Sequence, residues 1–200
     1  MARKYELKQR ADQVEETRRR IVEATVQLHL ARGPAATQIA EVARRAGVQR
    51  RTVYNHFPDD AALFAACSAH WRAEHPPPDP AGWSDLRQGL RELYAWYRET
   101  EPMTANVLRD AQVLPSLRRV LQSGLDVYLE AVRNALDQGR GGNRRAEAAI
   151  RLVTDFHAWR ALAPLGEEEA VELAAELVEL AAARPRTSRS RGSRARPALS

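Results

Sequence analysis

Several features are scarce or missing in the 200-residue sequence, and each absence excludes a class of protein. The single cysteine, Cys67, rules out an internal disulfide bond and fits a reducing compartment. No run of eighteen apolar residues occurs, so no membrane span is expected. The first twenty residues carry charges without the apolar core of a secretory signal. We therefore expect a cytoplasmic protein.

Signatures of catalysis and of metal binding are also missing. The sequence contains no Ser-His-Asp order of the hydrolase type, no glycine-rich nucleotide loop and no paired-carboxylate motif. Cys67, His70 and His75 are close in sequence, but their spacing matches no common zinc pattern and no fourth ligand accompanies them. We predict that the chain is not an enzyme and that it has no cofactor and no metal site.

The formal net charge of +5 is distributed unevenly along the chain. Residues 1–20 carry +3, residues 21–71 carry +1 and residues 72–183 carry −5. Residues 184–200 contain six arginines and no acidic residue. Because the acidic section would repel a polyanion, a contact with nucleic acid is expected in the N-terminal third, with the basic tail as a second candidate.

The most informative stretch covers residues 38–57 and is typical of two short helices joined by a turn. Apolar residues in its first half recur at helical spacing, at Ile39, Val42, Ala43 and Ala46. Gly47 follows where helices commonly end in the left-handed conformation. The pattern predicts a helix-turn-helix unit.

The second helix of this unit carries side chains that could read DNA. If Val53 and Phe57 face the interior, a helical wheel places Arg51 and Asn55 on the opposite side. Arginine can bind guanine, and asparagine adenine, through two hydrogen bonds each. Polar groups that could hold phosphates flank this face, at Gln49, Arg50, Thr52, Tyr54 and His56. The alternative is a helical hairpin whose polar face is merely solvated.

The order of residues favours the first interpretation. The segment resembles the DNA-binding domain of TetR-type (TetR/AcrR family) helix-turn-helix regulators at Gly33, Thr37, Ile39 and residues 42–43, 46–48, 52–54 and 56–58. The resemblance covers about a quarter of the chain. It implies that Thr37 and Gln38 lie near the DNA backbone and that Tyr54 and His56 bind phosphates. Thr37 is also expected to cap the following helix.

Two positions depart from the family pattern. The family usually has a small residue, often glycine, where this chain has Arg51, so an unusual base preference is expected. A lysine often follows the recognition helix, whereas this chain has Pro58, Asp59 and Asp60. An aspartate there can cap the next helix but cannot attract phosphate, so one usual backbone contact is predicted to be missing.

We predict an all-α fold in which an N-terminal three-helix helix-turn-helix DNA-binding domain precedes a helical effector-binding and dimerisation domain. Residues 1–14 are predicted to be a flexible basic arm, and residues 15–75 the DNA-binding domain. Prolines between them and residues 80–183 break the helical pattern, so this second range is predicted as the helical body. Residues 184–200, rich in arginine and serine, are predicted to be disordered.

Periodicity and proline positions divide the body into helices. We predict helices over residues 83–101, ended by Pro102, and then over 103–114, 115–138, 144–163 and 167–183. The last helix has two apolar sides and therefore needs two partners. Its apolar rows are Leu173, Leu177 and Leu180, and Val171, Ala174, Ala175 and Val178. The family resemblance implies a homodimer that forms through the last two helices.

Aromatic and polar residues of the body are candidates to line an effector pocket. They are Trp83, Tyr94, Tyr97, Met103, Asn106, Tyr128, Phe156 and His157. Aromatic stripes at helical spacing are commonly plain core, which is the alternative for each of them. The family commonly has an aromatic residue where this chain has His29, which we interpret as a residue at the edge of the core and not as a ligand.

These patterns predict a homodimeric, sequence-specific transcriptional regulator in the cytoplasm, associated with the nucleoid. We expect a repressor whose affinity for a palindromic double-stranded DNA operator is lowered by an unidentified small-molecule effector. Two alternatives stay open. One is an architectural DNA-binding protein without an effector, and the other is an enzyme or ligand carrier that kept the same fold.

Overall fold

The computed structural model describes residues 2–138 and 142–183, and the regular secondary structure of these residues is entirely helical. The helices are α1 (Ala2–Arg32), α2 (Ile39–Ala46), α3 (Arg50–His56), α4 (Asp60–Glu74), α5 (Leu86–Asp110), α6 (Pro115–Ser123), α7 (Leu125–Leu136), α8 (Arg144–Val153), α9 (Phe156–Leu162) and α10 (Glu167–Ala183). Single turns of 3-10 helix occur at Pro80–Gly82 and Ala163–Leu165. The predicted all-α class is confirmed, while the tail at 184–200 lies outside the described residues.

A first apolar core lies among α1, α2, α3 and α4. Ile21 of α1, Val42 of α2, Val53 of α3 and Leu63 of α4 are all buried in it. Gly47 ends α2 in the left-handed conformation with φ 67°. The predicted helix-turn-helix geometry is therefore present, and its buried face anchors it to α1 and α4.

A second core fills the body between α5, α7, α8, α9 and α10. The buried hydroxyl groups of Tyr94 and Tyr97 donate hydrogen bonds to the carbonyl oxygens of Val153 and Thr154, both at 2.8 Å. Because a buried hydroxyl without a partner destabilises a fold, these bonds hold α5 against the end of α8.

The first helix is longer than the sequence pattern indicated. Within the segment predicted as a flexible basic arm, residues 2–14 are helical, because α1 extends from Arg32 back to Ala2. The segment lacks an apolar stripe, but it contains neither glycine nor proline, and most of its residues have high intrinsic helix propensity. The intrinsic helix propensity of these residues accounts for the helix here.

The predicted helix end at Pro102 is wrong. A single helix, α5, runs through this residue from Leu86 to Asp110. Proline removes one backbone hydrogen bond from a helix interior, but packing on both sides can offset this loss. Residues before Pro102 pack in the body core, and Met103 after it joins the first core.

Conversely, two helices that the sequence predicts as continuous are interrupted. The helix predicted over 115–138 divides at Gly124, whose ψ of −80° is not helical, because glycine has low helix propensity. The helix predicted over 144–163 divides before Asp155. Its carboxylate accepts hydrogen bonds from the amides of His157 and Ala158, at 2.8 and 3.1 Å, and so starts a new helix.

Gly89 of α5 lies where the body core leaves no room for a side chain. A Cβ atom there would be 2.5 Å from Cδ2 of Leu136 and 2.7 Å from Cε3 of Trp83. We predict that Gly89→Val lowers the free energy of unfolding by about 1–3 kcal/mol, measured by urea denaturation, because it overpacks the core. Gly82→Val is the matched control, since nothing lies within 4 Å of a Cβ atom at that position. Equal losses in both variants would contradict the steric explanation.

Candidate nucleic-acid interface and ligand cavity

The short helix α3 presents a polar surface opposite its buried side. Val53 is 1% exposed and Phe57, directly after the helix, is 2% exposed. On the other side, the exposed residues are Arg50, Arg51, Tyr54 and Asn55, while Thr52 and His56 are half-buried. The wheel derived from the sequence therefore matches the structure, and Arg51 and Asn55 are accessible to a partner.

Arginines of α1 hold the two helices of this unit at their carboxyl ends. Nη1 of Arg18 donates a hydrogen bond to the carbonyl oxygen of His56 at 3.2 Å, and its guanidinium carbon lies 4.4 Å from the centre of the Phe57 ring. Nη1 of Arg20 donates to the carbonyl oxygen of Ala46 at 3.1 Å. A cation at the carboxyl end of a helix interacts favourably with the helix dipole and so stabilises the helix. These two arginines therefore have a structural role in orienting α2 and α3.

The predicted cap on α2 is wrong. The residue that precedes this helix is Gln38, and no side chain caps its first amides. The hydroxyl of Thr37 instead donates a hydrogen bond to the carbonyl oxygen of Gly33 at 2.9 Å. Thr37 is therefore part of the turn after α1, while Gln38 and Gln49 are exposed at the starts of α2 and α3.

This turn is fastened to the body by a buried carboxylate at the end of α5. Asp110 is 4% exposed and accepts hydrogen bonds from the amide of Ala35 at 2.8 Å and from Nε of Arg109 at 2.7 Å. Burial alone would raise the pKa of Asp110, but these hydrogen bonds and the guanidinium charge hold it below its usual value. A Cβ atom on Gly33, whose φ is 91°, would lie 2.4 Å from the same carboxylate.

A second contact from α5 lies one turn earlier. The side-chain amide of Asn106 donates to the carbonyl oxygens of His29 and Leu30, both at 3.0 Å, and Nη2 of Arg109 donates to that of Arg32 at 3.2 Å. These carbonyl groups belong to the last turn of α1, where the helix leaves carbonyl oxygens available; that of His29 also accepts from the amide of Gly33 at 2.8 Å. We call the contacts of Asn106, Arg109 and Asp110 with residues 29–35 the latch.

A cavity of about 240 Å³ lies between α1, α4, α5, α6 and α7. Its walls are mostly apolar and aromatic, and the bordering residues are Val26, His29, Phe64, Cys67, Ser68, Trp71, Arg72, Pro77, Trp96, Met103, Thr104, Val107, Leu117, Val120, Leu121, Gly124, Leu125 and Tyr128. α1 and α4, which pack against the helix-turn-helix unit, and helices of the body all contribute to it, so a ligand that fills the cavity contacts both parts of the chain.

The structure brings together only part of the predicted pocket set. Met103 and Tyr128 border the cavity. The others lie elsewhere: His157 is exposed on α9, Asn106 belongs to the latch, and the residues buried in the body core are Trp83, Tyr94, Tyr97 and Phe156. Those four rings are core residues because they pack against one another and their neighbours; the Tyr97 and Phe156 ring centres, for example, are 5.4 Å apart.

Sequence reasoning missed the contribution of α4 to the cavity. Phe64, Ser68 and Trp71 recur at helical spacing on one side of this helix, and all three border the cavity. The spacing was visible in the sequence, but periodicity cannot distinguish a face that packs on a neighbouring helix from one that borders empty space. Arg72 was missed for the same reason.

The titratable residues in the cavity wall are uncharged at neutral pH, apart from Arg72. Burial lowers the pKa of His29 to about 4, against an opposing effect of the Asp110 carboxylate, and burial raises the pKa of the Cys67 thiol to about 12. No aspartate or glutamate of the described residues borders the cavity. The site is therefore apolar, with a single cationic group.

The outward side of α10 exposes an apolar row. Leu173, Leu177 and Leu180 are exposed on it, and Leu152 of the adjacent α8 is 58% exposed. The opposite row of α10, at Val171, Ala174, Ala175 and Val178, is buried in the body core. The two apolar sides expected from the sequence are thus one buried row and one row without a partner in the monomer.

Other kinds of site find no support in the part of the chain that the structure describes. Within residues 2–138 and 142–183, no helix has the length and apolar character needed to cross a bilayer. The same residues contain no group of three or more side chains able to hold a metal ion. His70 lies 3.3 Å from Glu74, and His75 lies 2.7 Å from Glu99, in each case between a ring nitrogen and a carboxylate oxygen.

Comparison with known proteins agrees with this geometry. Residues 21–67 match the model of the family described as bacterial regulatory proteins, tetR family. No curated protein matches the chain. Solved structures with a similar fold include the transcriptional regulator FadR from Bacillus subtilis in complex with stearoyl-CoA, which is 18% identical with a TM-score of 0.53 and is aligned over 82% of this chain and 97% of that one.

Two further structures have a similar fold. A TetR family regulator from Marinobacter aquaeolei is 22% identical with a TM-score of 0.52, and the alignment covers 87% of this chain and 97% of the other. NalD, a repressor of a multidrug efflux pump in Pseudomonas aeruginosa, is 21% identical with a TM-score of 0.51, with coverage of 84% and 95%.

A helix-turn-helix unit joined to an all-helical body defines a class of DNA-binding transcription regulators. The chain carries a TetR-type helix-turn-helix unit of that class at residues 21–67.

Proposed function

We propose that the chain is a sequence-specific repressor that binds a palindromic operator as a homodimer and is released when a small molecule fills the cavity. In this proposal residues 15–75 form the DNA-binding domain and residues 80–183 the effector-binding and dimerisation domain. The observation that carries it is the cavity itself, because its walls come from both parts of the chain.

In the proposed complex, α3 enters the major groove. Its accessible Arg51 and Asn55 contact base edges, and the polar groups around them contact DNA phosphates and so position the protein on the duplex. These positioning residues are Thr37, Gln38, Gln49, Arg50, Thr52, Tyr54 and His56. The hydroxyl of Thr37 already donates to the carbonyl oxygen of Gly33, so it would have to exchange this bond for a phosphate.

The proposed dimer forms through α8 and α10. The exposed row of α10 and the exposed Leu152 of α8 offer apolar side chains to a second copy of the chain. A two-fold axis there would make the interface self-complementary, as in most homodimers, and would direct the two α3 helices to successive major grooves about 34 Å apart.

Release in this proposal depends on two helices that connect the cavity to the DNA-binding unit. α4 follows α3 after a three-residue connection, and α5 carries the latch on residues 29–35. A ligand that binds more tightly when the two α3 helices have a spacing other than the DNA-bound one weakens operator binding. The loss equals its preference for that spacing, typically about 1–3 kcal/mol. By the same linkage, operator DNA weakens the ligand equally.

We predict that Arg51→Ala and Asn55→Ala each weaken operator binding by about 1–3 kcal/mol and relax base preference. Tyr54→Phe is expected to weaken all sequences alike, since a lost phosphate contact carries no sequence information. The operator is first selected from genomic fragments retained by the purified protein, and affinities are then measured by fluorescence anisotropy. Arg119→Ala, an exposed arginine on α6, is the control for loss of one positive charge.

An Arg51 or Asn55 variant with unchanged affinity and unchanged base preference would show that α3 does not dock as proposed. Retention of fragments without any shared sequence would instead support the architectural alternative.

A further inference from the structure

The cavity has one charged side chain at its edge, Arg72 in the last turn of α4. Arg72 is exposed to solvent as well as bordering the cavity, so its guanidinium lies at the opening. Its Nη1 would be 3.6 Å from a Cβ atom on Gly124, across the gap to the break between α6 and α7. A group that enters the cavity from this side would meet the arginine.

Arg72 lacks the acidic partners that three arginines of α5 have. Arg87, Arg91 and Arg98 each bind a glutamate of α10, with nitrogen to oxygen distances of 2.6–3.1 Å. Among the described residues, no carboxylate lies within ion-pair distance of Arg72, and its side chain makes no hydrogen bond. Its forked donors, which suit a carboxylate, are thus available to a ligand.

The other residues that line the cavity indicate the chemical nature of the rest of an anionic ligand. Phe64, Trp71 and Trp96 supply aromatic surface, and the remaining residues are mainly aliphatic. His29 and Cys67 are neutral, and no acidic side chain of the described chain is present to attract a cation. The volume of about 240 Å³ is below the usual range for drug-sized ligands, about 300–1,000 Å³, so a ligand of one or two rings fits best.

We propose that the effector class is a small aromatic carboxylate, with its rings between Phe64, Trp71 and Trp96 and its carboxylate on Arg72. This inference rests on the proposed function, since it takes the cavity to be the effector site. Burial of the rings supplies affinity, and the charge-assisted hydrogen bonds select acids over neutral and cationic compounds of the same shape. The anion is bound by α4, the helix that follows the recognition helix directly.

A matched pair of probes tests the charge requirement. β-Naphthoate and β-naphthamide have the same rings and nearly the same shape, but only the first carries a negative charge. Isothermal titration calorimetry with the full-length protein should show naphthoate binding at one site per chain and naphthamide binding at least about fivefold more weakly. Arg72→Gln should weaken naphthoate by about 5- to 30-fold, a charge-assisted hydrogen bond discounted for solvent exposure, and leave naphthamide within about twofold.

Two further variants complete the design. Arg119→Gln removes the same charge from α6 without touching the cavity and should leave both probes unchanged. Arg72→Lys keeps the charge and should recover part of the naphthoate affinity, though less than arginine because the forked geometry is lost. Equal affinity for the two probes, no effect of Arg72→Gln on naphthoate, or binding of neither probe would overturn the inference.

Operator binding separates this inference from the function on which it rests. Naphthoate that binds in an Arg72-dependent way but leaves operator affinity unchanged would support the ligand class and contradict effector-dependent repression. A neutral aromatic compound that releases the operator as effectively in Arg72→Gln as in the wild type would support effector-dependent repression and contradict the carboxylate class of ligand.

Discussion

Replacing Asp110 with alanine is expected to lower the free energy of unfolding by about 2–4 kcal/mol and to weaken operator binding as well. The substitution leaves the amide of Ala35 without its acceptor in the partly buried turn before α2, and it removes the charge that orients Arg109. Because this turn positions α2 and therefore α3, its displacement should reduce the population of chains that can dock on DNA. Urea denaturation and operator titration measure the two effects.

Two variants distinguish the loss of the latch contacts from the loss of a carboxylate charge alone. Asp110→Asn keeps an oxygen that can accept from Ala35, so it should be less destabilising than the alanine variant. Asp126→Ala removes an exposed carboxylate from the first turn of α7 and should cost less than about 1 kcal/mol. If Asp110→Ala were no more destabilising than Asp126→Ala, the contacts of Asp110 would not stabilise the fold as proposed.

Acidification should destabilise the fold through His29. Its pKa is lowered by burial from 6.5 to about 4 in the folded chain, whereas the unfolded chain binds a proton at the usual value. Stability from this group is therefore fully present above about pH 6.5, decreases as the pH falls through this interval, and is lost below about pH 4. The difference corresponds to about 3 kcal/mol of the free energy of unfolding.

His29→Phe isolates this contribution, because the carboxylates that titrate over the same range are present in both proteins. The variant keeps a ring against Phe64, whose centre lies 5.7 Å from that of His29, and cannot be protonated. Between pH 7 and pH 4, urea denaturation should show that the wild type loses about 3 kcal/mol more than the variant. His157→Gln, at an exposed position on α9, should behave as the wild type; an identical pH dependence in His29→Phe and the wild type would refute the assignment.

The recognition helix could be predicted from the sequence because its determinants are local. Gly47, Val53 and Phe57 set the turn and the buried face by their own conformational and apolar preferences, and the exposed positions of Arg51 and Asn55 follow from helical geometry. The start of α10 at Glu167 and its two apolar sides follow from local patterns of the same kind. Each pattern lies within one helix and its immediate caps.

The cavity and the course of α5 depend on contacts between distant parts of the chain. Whether Pro102 ends a helix depends on packing against α1 and against the body core, which the residues around the proline do not encode. Trp83 and Tyr94 have the composition of pocket residues, yet neighbouring helices fill the space around them. Whether a cavity forms depends on the packing between several helices, and the periodicity of one helix does not reveal that packing.

The position of Pro102 within α5 also determines how large a displacement a bend of this helix produces at the DNA-binding unit. Proline has no amide hydrogen to bond with the carbonyl oxygen of Arg98, so α5 bends at less cost there than elsewhere. The following two turns, from Met103 to Asp110, border the cavity and carry the latch. At 1.5 Å per residue, a change of about 10° at Pro102 would displace Asp110 by roughly 2 Å. In a symmetric pair, opposite displacements of this size would change the separation of the two α3 helices by up to about 4 Å, set against a groove repeat of about 34 Å.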